Sequence, residues 1–229
     1  MKDCNVFLAL KKSKEFGFDD VQLLADHIVK YNPLVRVYCI CEVKEETQLR
    51  NVTLLPAEHP EWPGWWIKMN FFSPELEKYR PFLYMDLDTA VLGDLSDFFP
   101  KGPNEDMIIN LRDFYRPHPT LANGVAWLPA NNSKVQKVWD AWISNPEENM
   151  RKYPRGDMWF IGGQIETDLF WQDITPGVVS FKPRTGLGRI EYREEIHPET
   201  AIVCFHGFPR IGEAAGMVKW VKRYVDYEC

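Results

Sequence analysis

Two aspartates one residue apart, Asp86 and Asp88, are the side chains of this sequence best suited to chemistry. They follow the apolar run 82–85, and hydrophobic residues resume at positions 90–92. If the strand continues through them, both carboxylates point to the same side of it. Burying two carboxylates without a cation costs free energy, and Mg²⁺ or Mn²⁺ commonly takes one or two carboxylates together with phosphate oxygens. The pair therefore predicts a metal–diphosphate site.

A second set of candidates follows the apolar run 201–205. His206 ends this run, Gly207 permits close backbone approach to a phosphate, and the guanidinium of Arg210 suits phosphate oxygens. Lys68 is a further candidate, eighteen positions before Asp86. Each is a weak signal alone, because a histidine after a strand is more often structural and a helical lysine usually lies on the surface.

Elements that could position these residues follow from the apolar periodicity. Strands alternating with helices favour parallel pairing through crossover helices, and therefore an α/β fold. Ligands of open α/β sheets bind beyond the carboxyl ends of the strands, where Asp86, Asp88 and His206 are expected. Apolar runs predict strands at 5–10, 35–41, 52–55, 82–85, 107–111, 124–128, 178–181 and 201–205. Amphipathic spacing predicts helices from 19 or 20 to about 31, at 66–79 with a division at Pro74, at 133–142 capped by Ser133, at 162–170 and at 218–224.

The composition is typical of one globular domain spanning residues 1–229, with 45% hydrophobic and 26% charged residues. Aromatic residues make up 14% and include nine tryptophans. Such rings can form a sugar-stacking surface, but we expect most of them in the core. The formal charge of −6 argues against a broad nucleic-acid footprint, although Lys11, Lys12 and Lys14 form a small basic cluster.

The sequence also predicts where the protein acts and the state of its cysteines. No stretch of about 18 or more apolar residues and no signal sequence is seen, so we expect a cytoplasmic protein without a membrane anchor. The five cysteines are an odd number without a zinc-site pattern, which favours structural thiols. They are Cys4, Cys39, Cys41, Cys204 and Cys229.

Three segments, in this order, resemble the nucleotide-sugar-dependent glycosyltransferases of the A-type fold, especially the family of glycogenin and the bacterial galactosyltransferases. Residues 82–99 resemble that family's metal motif, 121–127 its Asn-Ser-Gly-Val segment, and 205–207 its C-terminal histidine motif. Further blocks are similar to those of short bacterial and bacteriophage glycosyltransferase-like proteins, namely 156–158, 178–182 and 205–209. The resemblance implies a single-domain, Rossmann-like, mixed but mostly parallel sheet flanked by helices. It also implies a nucleotide-binding half at about 1–100 and an acceptor-binding half at about 101–229.

The resemblance also assigns roles to residues. Asp86, Asp88 and His206 would hold Mn²⁺ or Mg²⁺ on the diphosphate of a UDP-sugar, and the sugar would be transferred with retention of configuration. Asp157 would lie near the reacting sugar or the acceptor, with Gln164 as its rival because Met158 replaces the usual glutamine. Contacts to the donor would come from Leu8, Ala9, Leu10, Lys11, Lys68, Asp86, Asn123, Gly124, Lys182, Gly207 and Arg210, the last in place of a lysine.

Two other functions stay open from the residues alone. A nucleotidyltransferase or phosphohydrolase could use the same carboxylate pair and would release pyrophosphate or phosphate. A non-catalytic sugar-binding module would bind through its tryptophans without either aspartate. For a glycosyltransferase, the acceptor could be a polysaccharide, a lipid-linked sugar, a protein or hydroxymethylated phage DNA, and the sequence leaves the oligomeric state open.

Overall fold

Seven strands form the central sheet of the computed structural model, which describes residues 4–42, 48–116, 120–130, 132–183 and 191–227. The strand order is β3-β2-β1-β4-β7-β6-β8. Only β7 runs against its neighbours, so the sheet is mixed and mostly parallel, as predicted. The strands are β1 (Asn5–Leu10), β2 (Arg36–Cys41), β3 (Val52–Pro56), β4 (Phe82–Met85), β6 (Ile109–Arg112), β7 (Leu121–Leu128) and β8 (Leu169–Phe170).

A second, three-stranded sheet was not predicted as a separate unit. It has the order β5-β10-β9 and consists of β5 (Thr89–Val91), β9 (Val178–Ser180) and β10 (Ile202–Cys204). β5 pairs antiparallel with β10, and β10 pairs parallel with β9. Because β5 begins directly after Asp88, this sheet brings the loop that follows β10 to the aspartate pair.

Helices cover both faces of the main sheet. The α-helices are α1 (Phe18–Tyr31), α2 (Ser133–Ile143), α3 (Pro146–Lys152), α4 (Asp157–Gln164), α5 (Trp171–Ile174), α6 (Ile211–Ala214) and α7 (Lys219–Val225). Single turns and 3₁₀ helices occupy Gly64–Phe72, Pro74–Tyr79, Ser96–Phe98 and Gly102–Asp106. The predicted division of segment 66–79 at Pro74 is confirmed, since proline cannot donate the helical hydrogen bond.

Two helix predictions were wrong. The segment 162–170 is not one helix, because α4 starts earlier, at Asp157, and the chain is extended again at β8. Gly162 and Gly163 interrupt the helical pattern inside α4, so the sequence did not reveal that the helix begins before them. The N-cap of α2 is Asn132 rather than Ser133, and its side chain accepts a hydrogen bond of 2.8 Å from the backbone N–H of Lys134.

The core forms on both faces of the main sheet because successive residues of β1 alternate between them. Val6, Leu8 and Leu10 pack with α1, whereas Phe7 packs among the aromatic residues of the opposite face. Most tryptophans are buried in this way, as predicted. The buried ones are Trp62, Trp66, Trp127, Trp139, Trp142, Trp171 and Trp220.

Four of the predicted thiols fall within the described residues, where they form no disulfide. Cys39, Cys41 and Cys204 are buried, Cys4 is half-buried, and Cys229 lies outside the described residues. Within the part of the chain that the structure describes, no helix has both the length and the apolar character needed to cross a membrane.

Candidate active site

A cavity of about 200 Å³ opens where β4 and β10 end. Its walls combine acidic, basic and amide side chains from several elements that are distant in sequence. Seven of the residues singled out in the sequence line it, and they are Lys68, Asp86, Asp88, Asn123, Gly124, Asp157 and His206. The fold therefore brings these seven predicted site residues together in one place, while the other predicted residues lie outside the cavity lining.

The two aspartates reach the cavity from a turn rather than from a strand. β4 ends at Met85, and the backbone N–H of Thr89 donates to the carbonyl of Asp86 at 3.2 Å. The argument from strand alternation was therefore wrong about the local geometry. The backbone N–H of Asp86 still donates to Gly124 on β7 at 2.8 Å, and this bond fixes the start of the turn.

Lys68 lies buried between two carboxylates. Its ammonium is 3.2 Å from Asp86 and 3.0 Å from Asp157, although these residues are far apart in sequence. Burial disfavours the charged amine, but Asp157 and Asp86 outweigh this effect and raise the pKa of Lys68 above its ordinary value. Asn123 completes the group by donating from its side-chain amide to Asp157 at 2.8 Å.

Asp86 is the most perturbed carboxyl group of the site. Burial, together with repulsion from Asp88 and Asp157, raises its pKa to about 7 against the opposing effect of Lys68. Tyr84 donates its hydroxyl to the same carboxylate, and burial raises the pKa of this phenol, so the proton stays on it. Lys68 therefore offsets only part of the cost of charging Asp86 in this buried cluster.

Asp88 is bound by the loop that follows β10. The guanidinium of Arg210 donates to its carboxylate at 2.7 Å, and the backbone N–H of Gly207 does so at 3.3 Å. Arg210 also pairs with Glu15 at 2.6 Å and lies over the ring of Phe16. Positive φ angles at His206 (34°) and Gly207 (95°) turn the loop back toward the aspartate.

His206 is held by groups that sequence reasoning missed. Its Nε2 lies 2.7 Å from the hydroxyl of Ser180, and its ring stacks on Phe114 with centroids 5.5 Å apart. Burial, helped by the charge of Lys182, lowers the pKa of His206 to about 4, so the imidazole is neutral at neutral pH. Ser180 lies inside the block 178–182, which was the available signal for it.

Other predicted residues serve the fold around the cavity. The ammonium of Lys182 is buried and donates to the carbonyls of His206 at 3.2 Å and Phe208 at 2.7 Å, so it supports the loop. Lys11 pairs with Glu42. Gln164 lies at the far end of α4, about 10 Å along the axis from Asp157.

The other residues predicted at the end of β1 belong to the core or to its edge. The side chains of Leu8 and Leu10 are buried in the core, so these two residues could contact a nucleotide only through backbone atoms. Ala9 is half-buried and packs against the aromatic residues on the opposite face of the sheet.

The predicted metal ligands share the cavity but are paired with protein groups. Among the described residues, the His, Cys, Asp and Glu side chains form no group of three placed to hold a metal ion. Asp86 is bound to Lys68, Asp88 to Arg210 and His206 to Ser180. The two carboxylates suit Mn²⁺ or Mg²⁺, and a neutral imidazole is in the protonation state that a metal ligand needs. The carboxylates of Asp86, Asp88 and Asp157 also outnumber the cations Lys68 and Arg210 that pair with them, which favours a further cation.

No family model and no curated protein matches the sequence. Solved structures do match the fold. The galactosyltransferase LgtC, in complex with donor and acceptor sugar analogues, superposes with a TM-score of 0.64 at 12% identity, covering 97% of this chain and 94% of that chain. The chain has the A-type glycosyltransferase fold. The predicted fold class is therefore confirmed.

Two further structures show the breadth of this A-type fold. The glycosyltransferase GlyE of Streptococcus pneumoniae TIGR4 has a TM-score of 0.67 at 13% identity, with 99% of this chain matching 62% of that chain. Mouse xyloside xylosyltransferase 1, in its apo form, has a TM-score of 0.51 at 13% identity over 89% and 98% of the two chains. At such identities the similarity establishes the A-type fold alone.

Proposed function

We propose that this chain is a metal-dependent glycosyltransferase that moves a hexosyl or pentosyl group from a UDP-sugar to an acceptor hydroxyl, with retention of configuration. The observation that carries the proposal is the buried Lys68 between Asp86 and Asp157, inside a cavity at the carboxyl ends of the strands. The A-type fold of known glycosyltransferases supports it. In this proposal residues 1–100 form the nucleotide-binding half and 101–229 the acceptor-binding half.

The reaction needs positive charge at the leaving group. The acceptor oxygen forms a bond to the anomeric carbon, the bond from that carbon to the diphosphate breaks with its electron pair leaving on UDP, and the acceptor proton is released. Lys68 provides fixed charge within the cavity, and Arg210 provides it from the loop after β10. Asp86, Asp88 and His206 would hold the divalent cation, which when bound supplies Lewis-acid stabilisation of the departing diphosphate.

Asp157 is the side chain that we assign to the sugar. It lies at the first turn of α4, and its carboxylate is oriented by Lys68 and Asn123. A carboxylate in that position can stabilise the positive charge that develops on the sugar ring as the glycosidic bond breaks. The lack of a side chain at Gly124 leaves room for the sugar on the same wall, which Asn123 also lines.

Thermal unfolding in the presence of Mn²⁺, with and without UDP, tests donor binding. At a UDP concentration of 100 Kd, binding stabilises the folded state by about 2.7 kcal/mol, which corresponds to about 5–11 °C for a chain of this size. Asp88→Asn should abolish the shift, whereas Asp140→Asn, an exposed control on α2, should keep it. If no nucleoside diphosphate raises the midpoint of the wild type, the proposal is wrong.

A further inference from the structure

A second cavity lies beside the first and is much larger, at about 630 Å³. We call it the aromatic groove and define it by Tyr153, Met158, Trp159, Gly162, Glu166 and Phe170. Its volume falls within the range of about 300–1,000 Å³ that ligand sites usually occupy. Met158 lines both cavities, so the groove adjoins the first cavity next to Asp157.

The lining of the groove combines rings with hydrogen-bonding groups. Tyr153, Trp159 and Phe170 present aromatic surface, while Glu166 presents a carboxylate. The hydroxyl of Thr167 bonds instead to the backbone carbonyls of Ile108 and Leu169. A sugar ring has an apolar C–H face and a polar edge of hydroxyls. Aromatic rings cover the C–H face, and carboxylate oxygens accept hydrogen bonds from the hydroxyls. This mixture suits a saccharide better than a purely apolar ligand.

Two consecutive glycines form part of the groove wall. Gly162 and Gly163 lie within α4, where alanine would be more stable, and neither has the positive φ that would require glycine. A methyl group at position 162 would meet only the side chain of Leu121, at 3.9 Å. Glycine is therefore not required there by packing, and its effect is to keep the wall of the groove open.

The charges around the groove favour a neutral ligand. The guanidinium of Arg116 lies 4.9 Å from the ring centre of Trp159 but is paired with Asp113. Arg112, over Phe170, is likewise paired with Asp173. Arg155 and Lys152 lie over the rings of Trp159 and Tyr153, and Glu166 adds a negative charge. Among the described residues the rim therefore carries only a small excess of positive charge, without the cluster of unpaired Lys and Arg that a nucleic acid requires.

We infer that the aromatic groove binds the acceptor and that this acceptor is an uncharged saccharide. The saccharide reaches the first cavity past Met158, and we call that cavity the donor cavity because the UDP-sugar would bind there. The inference rests on the proposed glycosyltransferase function, because it assigns the second substrate of the same reaction. Of the four acceptor classes left open by the sequence, it favours the two that are saccharides, a polysaccharide and a lipid-linked sugar, over a protein and hydroxymethylated DNA. Gly162 is then a specificity-determining position, since any side chain there would occupy the space of the saccharide.

The test uses saturation-transfer NMR with lactose, maltose and cellobiose as probes. The wild type should bind at least one of them, Gly162→Ala should weaken that binding severalfold, and Gly162→Leu should weaken it at least tenfold. Lys137→Leu places the same side chain on the exposed face of α2 and should bind like the wild type. Both glycine variants should remain folded, because alanine and leucine favour helix more than glycine does.

The donor side serves as an independent readout. With Mn²⁺, the rise in unfolding midpoint produced by UDP should be the same in Gly162→Leu and in the wild type. If none of the three disaccharides binds, or if the glycine variants bind them as well as the wild type, the groove assignment is wrong while donor binding stands. Loss of the UDP effect in the wild type would instead overturn the proposed function.

Discussion

Replacing Lys68 by methionine should destabilise the protein strongly, because the lysine is the buried counter-charge of two carboxylates. Methionine keeps most of the length and the apolar stem but removes the ammonium that lies 3.0 Å from Asp157 and 3.2 Å from Asp86. Removing one partner of a buried ion pair costs about 3–5 kcal/mol. The side chains of Lys68 and Asp157 are only 11% and 7% exposed, but that of Asp86 is 27% exposed, which places the expected cost near the lower limit.

A loss of about 3 kcal/mol corresponds to a fall in the unfolding midpoint of about 6–12 °C for a chain of this size. Urea unfolding followed by circular dichroism gives the free energy, and calorimetry gives the midpoint. Lys137→Met replaces an exposed lysine on α2 and should change stability by less than about 0.5 kcal/mol.

A double variant measures the interaction energy between Lys68 and Asp157. Adding Asp157→Asn to Lys68→Met removes one of the uncompensated carboxylates and should restore part of the loss, with a coupling energy of about 0.5–3 kcal/mol. If Lys68→Met costs less than about 1 kcal/mol, or if the two changes are additive, Lys68 does not neutralise these carboxylates and the description of the cluster is wrong.

Two further predictions concern groups outside the donor cavity. Burial lowers the pKa of His27 below its ordinary value of 6.5, and its Nε2 bonds to the carbonyl of Tyr224 at 2.9 Å. The unfolded chain therefore binds the extra proton, so the contribution of His27 to stability should fall as the pH drops below about 6.5, by at most about 1.4 kcal/mol per pH unit. His206 contributes in the same direction, so His27→Gln should reduce the slope in urea titrations without abolishing it, and an unchanged slope would contradict the assignment. Gly156 has a φ of 107°, and an added methyl would lie 2.9 Å from the indole nitrogen of Trp65. Gly156→Ala should therefore lower the free energy of unfolding by about 1–3 kcal/mol. The control Gly17→Ala lies at a site with open space and extended backbone, and it should cost less in the same urea titration.

Much of the fold could be predicted from the sequence because the buried strands are continuous apolar runs. β1, β2 and β4 are nearly uninterrupted stretches of hydrophobic residues, and α1 has a clear helical period. The position predicted for α4 was wrong because Gly162 and Gly163 weaken its helical pattern. In the structure, packing of Phe160 and Ile161 in the core holds this helix in place. The three-stranded sheet was missed because its pairing is non-local.

The sequence predicted some of the side chains that meet in the cavity, but not how they interact. Asp86, Asp88 and His206 were recognised because polar residues interrupt or end apolar runs. Their partners were not, since Ser180 and Tyr84 carry no distinctive spacing and meet the site only through the fold. The ion pair between Asp88 and Arg210 depends on a loop reversal at two positive φ angles, which the sequence signals only through Gly207.

Phosphorus NMR of a UDP-sugar incubated with the protein, diamagnetic Mg²⁺ and lactose tests the central claim most directly. With UDP-glucose and UDP-galactose as donors, the account predicts that the diphosphate signals of at least one donor convert into those of free UDP. The conversion should be lost in Asp88→Asn and retained in Asp140→Asn. Release of UMP, sugar 1-phosphate or pyrophosphate instead of UDP, or a rate unaffected by Asp88→Asn, would contradict it.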